Sequence, residues 1–104
     1  MYLVQLLLPV YDNVGGRVPH HYFAELRDEL TDRYGGVTAY LRSPAQGSWK
    51  EKEGSGEVDR DEVVMCEVMV EELDRPWWSS YRGRLEARFG QRELVVRAFQ
   101  LERL

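Results

Sequence analysis

One cysteine, Cys66, is all the thiol chemistry in this 104-residue chain, so no disulfide can form within it. That usage points to a reducing cytoplasm as the expected location. Long apolar runs are also missing: none approaches the roughly 20 residues a membrane-spanning helix requires. The opening residues 1–9 (MYLVQLLLP) are apolar, but they lack a basic flank and soon meet Pro9, so they read as a strand and not as a signal peptide. Basic residues are fewer than acidic ones, 14 Lys+Arg against 18 Asp+Glu, for a net charge of −4. Such a balance provides no general attraction to nucleic acid or to an anionic membrane, and neither is expected as a partner. The two histidines are adjacent, His20 and His21. On a helix they would point roughly 100° apart, which rules out an i, i+4 metal pair. No phosphate-loop signature, zinc-ligand spacing or Ser-His-Asp ordering occurs, so neither a metal nor a cofactor is expected.

What is present is ordinary globular chemistry: 43% hydrophobic and 31% charged residues, enough for one modest core in a single domain over 1–104. Hydrophobic period divides the chain into six elements. Strands are expected at 2–10, 37–42, 61–71 and 92–101, and helices at 20–34 and 75–89. In the first helix Phe23, Leu26, Leu30 and Tyr34 form one stripe at i, i+3, i+7, i+11. Trp78, Tyr81, Leu85 and Phe89 repeat that spacing in the second. Pro19 suits a first helical turn, Asp74 suits an N-cap, and Gly35-Gly36 and Gly90 suit helix stops.

The order is βαββαβ, an α+β arrangement that resembles the ferredoxin-like plan. It implies a four-stranded antiparallel sheet in order 4-1-3-2 with both helices on one face. The segment 43–60 (SPAQGSWKEKEGSGEVDR) fits no regular element and is expected as a long loop or small hairpin, 48–50 against 57–59. Trp49 on that segment is a candidate lid residue.

Strand alternation carries the most functional information. Val64, Cys66, Val68 and Val70 suit a floor beneath helices, whereas Val63, Met65, Glu67 and Met69 are more apolar than a solvated face would be. Together with the other strands, the free face shows an apolar field around Gln5, Tyr40, Arg42, Glu67 and Arg97. A patch of that kind calls for a cover. Either a second copy packs sheet against sheet, or a small organic ligand lies on the face and is oriented by Glu67 and Arg97. A direct cross-sheet ion pair between Glu67 and Arg97 is the simplest structural account of those two charges. At the sheet end, Gly15-Gly16, Arg17 and a helix N-terminus could form an anion site, with His20 and His21 nearby as candidate ligand contacts. Trp77 is expected in core packing, at the sheet edge or against a partner.

The stretch Tyr34-Gly-Gly-Val-Thr-Ala-Tyr40, followed by Gly47-Ser-Trp49 and the Val63–Val70 strand, resembles a family of short uncharacterised bacterial ferredoxin-like proteins. That family has no established activity to carry over. At the level of architecture the chain is also similar to dimeric α/β barrel proteins, which pair through the open sheet face. RNA-recognition domains share the strand order but put aromatics where Leu3, Gln5, Leu7, Met65, Glu67 and Met69 stand here. These readings lead to a homodimeric ligand- or partner-binding domain. The alternative is a monooxygenase- or isomerase-like enzyme with Glu67, Tyr40, Arg97, His20 or His21 carrying protons.

Overall fold

The computed structural model describes residues 1–36, 38–42 and 63–104, with only Thr38 of 38–42 described beyond its backbone. The elements run β1 (Tyr2–Pro9), α1 (His20–Tyr34), β2 (Thr38–Arg42), β3 (Val63–Val70), α2 (Arg75–Arg88) and β4 (Val95–Gln100). Val37, Trp49, the 43–60 loop or hairpin, and the side chains of Tyr40 and Arg42 lie outside the described residues.

All strand pairings are antiparallel, and neighbours follow the order β2-β3-β1-β4. The sequence pattern implies a four-stranded sheet from strands at 2–10, 37–42, 61–71 and 92–101, and the structure corrects its extent: β4 spans Val95–Gln100 and not 92–101. Among the described residues, three rows cross all four strands: those centred on Gln5, Leu6 and Leu7 of β1. Towards Tyr2 the sheet has three strands, β3-β1-β4, because β2 has already ended at Thr38 opposite Glu67. Towards Pro9 it again has three, β2-β3-β1, because β4 begins only at Val95. The late start of β4 has a local cause: the backbone N–H of Leu94 donates to the Glu86 carboxylate of α2 at 3.0 Å and not to a strand.

Both helices cover the side of the sheet that carries Val4, Leu6, Leu8, Cys66, Val68 and Val70. Leu26 and Leu30 of α1 and Trp78, Tyr81, Leu85 and Phe89 meet these residues in one buried cluster. Burial of each such leucine contributes about 1.5–3 kcal/mol, so the two matching stripes account for most of the attraction between the layers. Aromatic rings fill the seam between the helices. Tyr34 stacks on Trp78 at 5.5 Å, Trp77 stacks on Tyr81 at 4.8 Å, and Phe23 meets Phe89 edge-on at 5.1 Å. Trp77 therefore belongs to the interhelical seam, with the Arg33 guanidinium 4.1 Å above its ring, and not to a sheet edge.

The helix ends follow local chemistry. Asp74 caps α2 by accepting from the Trp77 amide at 3.2 Å. Pro19 stands at the N-cap of α1, one position ahead of the first helical turn. Gly35 ends α1 at φ +79°, a left-handed conformation that costs glycine little.

Candidate functional site

Alternation along β1 puts Gln5 on the face away from the helices, and register places Glu67 and Arg97 on either side of it. The side-chain amide of Gln5 donates to Glu67 Oε2 at 2.6 Å. Its carbonyl oxygen Oε1 accepts from Arg97 Nε at 2.8 Å. The direct Glu67–Arg97 ion pair is thus corrected: one strand separates the charges, and Gln5 joins them by using both ends of its amide. Thr38 continues the row beside Glu67 on β2.

An apolar row flanks this polar row on each side. Met69, Leu3 and Phe99 lie in register on one side, and Met65, Leu7 and Val95 on the other. Met69, Phe99 and Val95 are 53%, 48% and 49% exposed, respectively. Met65 departs from the open-face expectation, because only 3% of it is accessible. The Arg97 guanidinium also lies 5.7 Å from the Phe99 ring centre, tying the polar row to its apolar neighbour.

Of the candidate residues, the structure brings together Gln5, Glu67 and Arg97. Tyr40 occupies the Met65–Leu7 row and Arg42 the Val63–Pro9 row by backbone register, with their side chains outside the described residues. His20 and His21 do not join this group. They are exposed at the first turn of α1, in the layer on the other side of the sheet, where His21 packs edge-on to Tyr22 at 4.7 Å.

The glycine turn before α1 is not an open anion cradle. Asp12 Oδ1 accepts from the backbone amides of Val14 at 3.0 Å and Gly16 at 2.8 Å. The chain supplies its own anion to those donors. A Cβ at Gly16 would approach Asp12 Oδ2 to 2.9 Å, so the turn closes tightly around the carboxylate.

A second charged arrangement joins the helices and not a ligand. Arg88 grips Glu29 through both guanidinium nitrogens, with Nη2 at 3.0 Å from Oε2, and the Tyr81 hydroxyl donates to Oε1 at 3.1 Å. The Arg88 hydrogen bond is the main reason the Glu29 carboxyl sits below its ordinary range. Tyr81 is pushed the other way, first by burial and then by the adjacent carboxylate. Burial alone pushes the Cys66 thiol up to about 11.

Sequence reasoning missed a groove of about 240 Å³ between α2 and the inner side of β4. Val4, Val96, Arg97 and Ala98 line it from the sheet, Arg75, Trp78, Ser79 and Arg82 from α2, and Leu73 from the segment just before that helix. The helices sit over β1 and β3, and a small side chain at Ala98 leaves this edge of the sheet bare. The spacing Arg75, Ser79, Arg82 at i, i+4, i+7 was the signal for it: a polar line beside the Trp78–Leu85 stripe. Among the described residues, no group of three or more His, Cys, Asp or Glu could hold a metal, and no helix is long and apolar enough to cross a membrane.

The fold and this face together define an α+β protein with a two-sided layer: helices on one side, a hydrogen-bonded charged row between apolar rows on the other. Comparison with protein-family models, curated proteins and solved structures finds no match for the chain.

Proposed function

We propose that this chain is a recognition domain whose helix-free sheet face pairs with a second copy of itself. The observation that carries the reading is the polarity of the central row, acidic at Glu67, neutral at Gln5 and basic at Arg97. A two-fold axis running along β1 through Gln5 would set Arg97 of each copy against Glu67 of the other. The same axis would place Phe99 opposite Met69 of the partner copy. An axis along the row would instead bring Arg97 against Arg97, so the charges select the first arrangement. The exposed apolar residues supply attraction, and the charged row supplies register.

Hydrogen bonding within the row also favours recognition over proton transfer. Gln5 has no titrating group, and it occupies one side of Glu67 and of Arg97 with fixed hydrogen bonds. The test is light scattering after size exclusion on the intact chain across a range of concentrations. A species of twice the 12.2 kDa chain mass is expected. Arg97→Glu and Glu67→Arg should each give monomer, and the two together should restore the dimer. Monomer at every concentration, or single variants that stay dimeric, would overturn the reading.

A further inference from the structure

We propose that the groove between α2 and β4 binds a small apolar carboxylate, with its hydrocarbon part on Val4, Val96 and Ala98 and its head between Arg75 and Arg82. The groove opens on the helix-bearing side of the sheet, and Arg97 of the Glu67–Gln5–Arg97 row borders its edge.

Three observations converge there. First, the walls differ in chemistry: an apolar floor meets a helix edge carrying two cations and a hydroxyl, Arg75, Arg82 and Ser79. That combination suits a ligand with one apolar end and one anionic end. Second, both arginines are exposed, and among the described residues neither side chain has a hydrogen-bond or ion-pair partner. Asp74, beside Arg75, is already engaged by Arg33 at 3.5 Å and by the Trp77 amide, and Glu86, four residues on from Arg82, accepts from the Leu94 amide. Arg75 and Arg82 are seven residues apart on α2, about 10 Å along its axis. Their long side chains can converge on one carboxylate placed near Ser79, each offering paired N–H donors.

The third observation is Trp78. The residue is only 5% exposed, lines the groove, and its indole N–H is the one buried side-chain donor without a partner among the described residues. Buried donors left unpaired are uncommon because desolvation is uncompensated. Because the Trp78 ring borders the groove, a ligand seated there changes the surroundings of that N–H. The first-turn amides of α2 are not part of the site, since those of Trp77 and Trp78 bond to Asp74. Small volume limits the ligand to a compact acid, which makes phenylacetate a suitable probe.

Phenylacetate is titrated into the isotope-labelled intact chain while the Trp78 indole N–H resonance is followed, its identity fixed by its loss in Trp78→Phe. A saturable shift is expected, accompanied by movement of the Ser79 and Ala98 amides. Arg75→Gln with Arg82→Gln should weaken binding at least tenfold, and Ala98→Leu should abolish it by filling the floor. Because Arg75, Arg82 and Ala98 are exposed, these variants should keep the unfolding midpoint of the parent. Phenylacetamide, the neutral counterpart, should produce no saturable shift. The site is refuted by an unsaturated response at tens of millimolar phenylacetate, by equal binding in the double arginine variant, or by equal binding of the amide.

Discussion

Gln5 holds Glu67 through a 2.6 Å hydrogen bond across the β1–β3 pair, on the face that no helix covers. The neutral amide thereby spaces an acid from the Arg97 guanidinium on the far side of the same strand. A single central residue therefore organises both the charge pattern and the contact between three strands.

Gln5→Glu should expose that dependence through pH. The change takes the amide donor from Glu67 and sets two carboxylates side by side, with Arg97 offsetting part of the repulsion, and proton binding relieves the rest. Stability should fall by about 1–2 kcal/mol at neutral pH and recover as the solution is acidified through the carboxylate range. Urea unfolding at several pH values measures it, and a pH-independent loss would contradict the electrostatic account.

Glu29 and Arg88 predict the opposite slope. The folded carboxyl is held below its ordinary 4.5, chiefly by the Arg88 hydrogen bond. Its stabilisation is therefore complete above pH 4.5 and lost as pH falls through the lower folded value. Glu29→Gln should cost about 1 kcal/mol at pH 7, a modest figure because the pair is partly exposed. The gap between the parent and this variant should close on acidification in chemical denaturation.

Cys66 should behave as a buried thiol. Its value of about 11 leaves almost no thiolate at pH 8, and it is only 2% exposed. Alkylation by iodoacetamide should be slow in the native chain and should accelerate along the urea unfolding curve. Rapid alkylation without denaturant would place Cys66 outside the packed layer.

Leu85 and Phe99 should separate folding from association. Leu85 is fully buried between helix and sheet, so Leu85→Ala should cost about 2–5 kcal/mol in unfolding free energy. Phe99 is half-exposed on the free face, and Phe99→Ala should cost the isolated fold under about 1 kcal/mol. The same change should shift size-exclusion profiles towards monomer. Equal effects on unfolding with none on mass would remove Phe99 from the association surface.

Much of the layer arrangement was legible because side-chain period reports burial directly. The stripe of Trp78, Tyr81, Leu85 and Phe89 is buried along its length, and the alternation of Val64, Cys66, Val68 and Val70 picks out the helix-facing side of β3. The free face was legible for the same reason, since Gln5, Glu67 and Arg97 fall on the alternate positions. Their partnership was not. Period assigns a residue to a face, but which atoms meet depends on register between strands far apart in the chain.

The sequence by itself determined the six elements, their capping residues such as Asp74, and the separation of a core side from a second, mixed side. Those follow from local propensity and from periods of 3.6 and 2, which neighbouring residues carry without reference to the rest of the chain. Tertiary structure alone decided that Gln5 stands between Glu67 and Arg97, that the sheet narrows to three strands at both ends, and that Asp12 fills its own glycine turn. It also placed α2 so that Arg75 and Arg82 border a groove along β4. Each of these depends on pairing register or on where a helix rests on the sheet, and both are fixed by long-range packing and not by the local code.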